Sequence, residues 1–210
     1  MTKATLAEDG RSRRARTRRE QRRETIMRAG ERTFGTRGYN GTSVADVLEA
    51  AGIARGTFYL YFDGKDALFQ ALVDRFIARV MGEVRRVDPS DREEAIGQIQ
   101  ENIRRVVDLL LNHRWLTSLA LRDAVGLDKI TEEKLKRLHE FLQVMVAGAL
   151  RNGAEMGLIR PVNEEVVGPA LIGAIKEVML QHVARGPRVA ADREAIADDL
   201  YQFAMRGLQA

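Results

Sequence analysis

Four side chains in one short stretch have types and spacing that could do chemistry together. Arg55, Thr57, Tyr59 and Tyr61 lie within TSVADVLEAAGIARGTFYLYF, residues 42–62. A guanidinium, a hydroxyl and two phenols are donors suited to phosphate oxygens and to base edges in a DNA groove. A face kept for solubility would carry Glu and Lys. The stretch reads as two short helices split by Gly52. Val44, Val47 and Leu48 share one face of the first, with Ala51 one turn on. Gly52 supplies the left-handed residue of a tight turn, and Ile53 follows as a buried plug. Phe58 and Phe62, four residues apart, turn the second helix's apolar side inward. This pattern is a helix-turn-helix, whose second helix enters the major groove. Arg55 and Thr57 are the candidates for base edges, with Val44 beside a thymine methyl.

Catalytic patterns find little support. The chain of 210 residues has no cysteine, which excludes disulfides, thiol catalysis and Cys-ligated metal. His113, His139 and His182 stand in no metal or triad spacing, and His139-Glu140 lacks the second histidine of a zincin helix. Gly35, Gly38 and Gly41 form GxxGxxG, not the dinucleotide fingerprint. Each histidine reads as structural or surface. No catalytic residue, metal or cofactor is expected.

Charge supports the nucleic-acid reading. The net charge is +4, yet residues 1–30 hold ten Lys/Arg against four acids. Positive potential is thus concentrated beside the helix-turn-helix, where an arm would neutralise phosphates. No apolar run approaches the ~20 residues of a membrane span. The basic N-terminus lacks the apolar core of a signal peptide. A cytoplasmic protein is expected.

The rest of the chain reads as helices. Residues 1–18 have almost no apolar content after Leu6 and read as a flexible arm. A helix from Arg19 to Arg37 carries Ile26, Gly30 and Phe34, and Gly38 ends it. Tyr39 is expected beneath the helix-turn-helix. Ser43-x-x-Asp46 approximates a capping box, and the recognition helix is expected over Ala54–Tyr61. Lys65 opens a long helix with Leu68, Phe69, Leu72, Phe76 and Val80 in register. Beyond Asp88-Pro89-Ser90, capping signals at Ser90, Thr131, Asn163 and Asp192 open further helices. The segment from Asn163 to Arg185 is apolar nearly all round, so it must be covered on two sides.

Residues 24–69 resemble the DNA-binding domain of the TetR (tetracycline-repressor-like) family. The resemblance is carried by Phe34, Gly38-Tyr39, Thr42-Ser43-Val44, Ala50-Ala51-Gly52-Ile53, Arg55-Gly56-Thr57-Phe58-Tyr59, Tyr61-Phe62, Lys65 and Leu68. Ala54 departs from it, standing where the family usually caps the helix with Ser, at a cost of ~1 kcal/mol. The resemblance implies close approach of the Gly56 backbone to DNA and phosphate contacts from Tyr59, Tyr61, Thr42 and Lys65. The expected DNA-binding set is Thr42, Ser43, Val44, Arg55, Gly56, Thr57, Tyr59, Tyr61 and Lys65.

The resemblance also implies a small-molecule pocket in the C-terminal helices and a homodimer built from the last two. Trp115, Phe141, Met145 and His113 are candidate pocket lining, with Arg104 or Arg122 as polar anchors. Leu171, Ile175, Val178, Leu200 and Phe203 are candidates for the dimer interface, the outward face of the 163–185 helix being open. The fold class is then all-α. An arm over 1–18 precedes a helix-turn-helix domain over 19–64 and a helical effector-binding and dimerisation domain over 65–210, entered through a connecting helix, 65–86. The expected function is a ligand-responsive regulator, a repressor that binds a palindromic operator as a homodimer. Two alternatives stay open: the same fold governed by a protein partner, or an enzyme with a site inside the bundle.

Overall fold

A computed structural model describes residues 3–88, 90–121, 128–185 and 192–209. The described residues are all-α and divide into two compact units, Met1–Leu72 and Val73–Ala210.

In the first unit, α1 (Lys3–Arg37) is followed by α2 (Val44–Ala51), α3 (Arg55–Tyr59) and the start of α4 (Lys65–Glu83). Helix α1 begins well before the expected Arg19. Its segment 12–23 is almost wholly exposed and carries seven arginines, so the basic charge rides on a helix. The cap of α2 is the one expected. Ser43 Oγ accepts from the Asp46 amide at 3.2 Å, and the Asp46 carboxylate accepts from the Ser43 amide at 2.7 Å. Those Ser43 bonds, then Arg37, hold the Asp46 carboxyl below its ordinary range. The box is therefore intact above the ordinary carboxylate range and is lost only as pH falls through that depressed value. Gly52 has φ 63°, closing the turn as read.

Ile26, Phe34, Val47, Phe58, Phe62, Leu68 and Leu72 form the buried centre of this unit. One close approach depends on a glycine: a Cβ at Gly30 would stand 2.7 Å from Leu68 Cδ2, so α1 meets α4 only because no side chain is there. Tyr39 packs on Phe34 and Phe69 at 5.6 and 4.7 Å between ring centroids.

The second unit holds the rest of α4, then α5 (Arg92–Asn112), α6 (Arg114–Leu121), α7 (Lys129–Glu155), α8 (Glu164–Ala184) and α9 (Arg193–Leu208). Helix α5 packs on α6, α8 and α9, and α8 on α6 and α7. Asn163 and Asp192 cap α8 and α9 as read. Two expected caps move to a neighbouring aspartate. Asp91, not Ser90, caps α5, and Asp128, not Thr131, caps α7. Thr131 is buried and donates its hydroxyl to Asp128 at 2.7 Å. That bond is the main cause of the lowered Asp128 pKa. A carboxylate is the stronger acceptor for the free amides of a first turn. Ala95, Leu150, Leu158, Ile159 and Leu208 form a cluster near the ends of α7 and α9. By length and composition α8 could cross a membrane, contrary to the sequence expectation. Lys176 and Glu177 interrupt it, and its packing on α6 and α7 makes it a helix of the bundle.

Candidate nucleic-acid interface

Phe58 sets the geometry of the recognition helix. It is 0% exposed and packs on Phe62 at 5.9 Å, which leaves the opposite face of α3 to solvent. Arg55 and Tyr59 stand on that face, with the Arg55 guanidinium 5.8 Å from the Tyr59 ring centre. Tyr59 is 43% exposed. Gly56 is exposed too, and a Cβ there would meet nothing within 4 Å. Thr57 and Tyr61 are half-buried at its edges. The helix is shorter than the expected Ala54–Tyr61, and Ala54 supplies no side-chain cap, as its methyl requires.

The remaining members of the expected set differ in kind. Val44 is half-buried at the start of α2. Ser43 is exposed, although its hydroxyl is held by the capping box. Lys65 donates to the Tyr39 carbonyl at 3.0 Å and lies 4.3 Å from the centre of that ring. Thr42 does not belong to the exposed surface. It is 2% exposed and donates its hydroxyl to the Gly38 carbonyl at 2.8 Å, because the turn after α1 needs that oxygen satisfied. The sequence reading missed Leu60, which is 72% exposed at the end of α3. Its place between Tyr59 and Tyr61, off the Phe58–Phe62 side, was the signal.

A cavity of about 730 Å³ lies in the second unit, within the size range of small-molecule sites, ~300–1,000 Å³. Its wall is mostly aliphatic, with Phe76 and Val80 of α4, Val107 and Leu110 of α5, and Leu138 and Met145 of α7 among its members. Met145 is the expected lining residue found there. Phe141, Trp115, His113 and Arg104 are not on the wall. His113 instead bonds Arg79 at 2.8 Å and packs edge-on against Phe76, and Arg104 pairs with Glu101 at 3.4 Å. Arg122 lies outside the described residues. Helical spacing identified apolar faces but could not tell which of them turns toward an empty volume.

The same geometry settles the outward side of α8. Val166, Ala170, Gly173, Glu177 and Gln181 recur at three- and four-residue steps and are all exposed. Leu171 and Ile175 lie on the cavity wall, and Val178 is half-buried, so these expected interface residues are off that stripe. Leu200 is buried within its own chain, whereas Phe203 is 65% exposed.

Residues 26–72 match the model of the family described as bacterial regulatory proteins, tetR family. The chain carries the DNA-binding domain of the TetR family. It is therefore a DNA-binding transcriptional regulator and not an enzyme. Among its curated relatives, the HTH-type transcriptional regulator YhgD of Bacillus subtilis is 21% identical over 193 residues, 90% of this chain and 97% of its own length. A bacterial regulatory protein of the tetR family from Rhodococcus RHA1 has a TM-score of 0.70 at 16% identity, over 90% of this chain and 97% of that one. FadR of Bacillus subtilis, solved in complex with stearoyl-CoA, has a TM-score of 0.66 at 19% identity, over 89% and 99% of the two chains. At these identities the two solved structures speak to the fold.

Proposed function

We propose that this protein is a repressor that binds a palindromic operator as a homodimer and is released by a small molecule held in the C-terminal cavity. The observation that carries the reading is the coexistence of an exposed recognition face on α3 and an apolar cavity whose wall includes α4. Helix α4 begins in the DNA-binding unit and ends beside the cavity, so both units contain part of it. A ligand acts through its differential affinity for two arrangements of that element. The stearoyl-CoA in the structure of FadR supports a mostly apolar occupant. A cavity of this size favours a metabolite over a protein partner as the signal.

Arg55, Thr57 and Leu60 read bases, while Tyr59, Tyr61 and Lys65 hold phosphates. Selection from random duplexes tests the whole reading. Enriched sequences should be palindromes whose half-sites lie one helical turn, ~34–36 Å, or a multiple of it apart. Enrichment of sequences without twofold symmetry overturns the dimer, and no enrichment overturns the regulator.

Leu60 adds a specific expectation. An apolar side chain in the major groove reads a thymine methyl. Leu60→Ala should weaken operator binding by ~1–2 kcal/mol through lost apolar burial. It should relax base preference at one position per half-site. Titration of an operator panel substituted position by position checks this, and an unchanged preference at every position excludes the contact.

The basic N-terminal segment supports a sequence-independent role. Residues 1–18 carry six Lys/Arg. Deleting them should weaken binding to all duplexes about equally and flatten the salt dependence. Each lost phosphate contact changes the slope of log K against log salt by ~0.9. An identical slope for the truncated protein would leave the segment a solvated helix end.

A further inference from the structure

The cavity wall is not uniform along its length. Lys134 Nζ lies 2.5 Å from Asp74 Oδ1, tying the start of α7 to α4. Leu135 and Leu138 therefore stand near Phe76, and this end of the wall is apolar apart from His139, while Lys176 of α8 also borders the cavity. At the other end, Val87 packs on the Ala95, Leu150 and Leu158 cluster, bringing the segment after α4 beside the last turns of α7. The wall there includes Arg85, Arg86 and Arg151. Arg151 is paired with Glu164. Arg85 and Arg86 are exposed, and among the described residues neither guanidinium has an acidic partner. Between the two ends α4 rises about 11 Å from Phe76 to its last residue, Glu83.

The cationic corner is also held in place. Asn102 clamps the main chain of Arg85 from both sides, accepting from its amide at 3.1 Å and donating to its carbonyl at 2.7 Å. Arg105 in turn donates to Asn102 Oδ1 at 2.5 Å and faces Glu83 at 3.6 Å. Asn102 and Arg105 are thus positioning residues. They fix the backbone that presents two arginines where the apolar wall meets water. Guanidinium groups suit carboxylate and phosphate by geometry as well as charge.

We propose that the effector is an anionic long-chain amphiphile, an acyl compound whose head group binds Arg85 and Arg86 and whose chain runs along α4 to Phe76. This rests on the reading of the cavity as the effector site. The shared chemistry is a long alkyl chain ending in anionic oxygens, either the carboxylate of a free fatty acid or the phosphates of an acyl-CoA.

Calorimetry without DNA, on the full chain and below micelle formation, tests the class with four probes: palmitate, palmitoyl-CoA, hexadecanol and coenzyme A alone. Palmitate or palmitoyl-CoA should bind at least tenfold more tightly than both hexadecanol and coenzyme A. Whichever anion binds better identifies the head group. The double variant R85A/R86A should lose at least tenfold in affinity for that anion and none for hexadecanol. Asn102→Ala, which leaves both charges in place, should show a smaller loss of the same kind. Hexadecanol binding as tightly as palmitate, or wild-type affinity in R85A/R86A, overturns the proposal. The companion measurement is operator affinity with and without the amphiphile. Tight binding that leaves operator affinity unchanged keeps the ligand class and overturns the effector reading. Failure of both anions to bind a protein that holds its operator overturns the class and leaves the regulator standing.

Discussion

Replacing Thr57 and Tyr59 together by alanine is expected to abolish operator binding while the melting curve and the oligomeric state stay unchanged. Neither side chain is the main anchor of the helix, although Tyr59 meets Phe58 edge-on at 5.4 Å between ring centroids. That role falls to Phe58, which is fully buried, and to Phe62 against it. Tyr59 is exposed, and its loss also removes the ring beside Arg55. An exposed cation–π contact is worth ~0.5–1 kcal/mol, so Arg55 would lose its orientation as well. A good base contact is worth ~1–3 kcal/mol, and a twofold operator counts each loss twice. The sum is several kcal/mol, and each ~1.4 kcal/mol is tenfold in affinity. A fluorescence-anisotropy titration with labelled operator should show a loss beyond a hundredfold. Affinity within threefold of wild type, alongside an unchanged melt, would remove α3 from the interface.

The second large effect is expected at α8. Gly173→Glu should give a folded monomer with poor operator binding. Gly173 lies at the centre of the exposed stripe, and a Cβ there would meet nothing within 4 Å of its own chain. The protomer therefore accommodates the change, and its helix gains propensity, since Gly costs ~1 kcal/mol in a helix interior. In the proposed dimer the same glycine allows close approach of a second α8. A glutamate there would bury an unpaired charge, at ~3–5 kcal/mol. Ile175→Glu should instead disturb the effector cavity, because Ile175 lies on its wall. Sedimentation at micromolar concentration, paired with operator titration, decides between these outcomes. A wild type that runs as a monomer and still binds a palindrome tightly would end the dimer mechanism.

The helix-turn-helix was legible because it is built from contacts close in sequence. Gly52 at φ 63°, the Ser43–Asp46 box and the Phe58–Phe62 pair each act within four residues, so spacing alone identifies them. Asp91 and Asp128 show the limit of that legibility. Each stands next to, or three residues from, a hydroxyl residue that fits the same capping rule, and only backbone geometry selects between them. Thr42 is misread, and Leu60 is passed over, for a related reason. The burial of this threonine and the exposure of this leucine show only once the turn after α1 and the end of α3 are placed.

By itself, then, the sequence determined the all-α class, the site and polarity of the recognition helix, and the basic end of the chain. These depend on residue type and on spacings of one helical turn. Only the tertiary structure decided what the second unit's apolar faces look at. Helical periodicity says that Leu171, Ile175 and Met145 are apolar and share faces; it does not say whether a face meets a neighbour, a cavity or solvent. That depends on how α4, α5, α7 and α8 are rotated about their own axes, through contacts far apart in sequence. The packing turned Ile175 toward the cavity and Gly173 outward, and it set Arg85 and Arg86 at the charged end of an apolar wall.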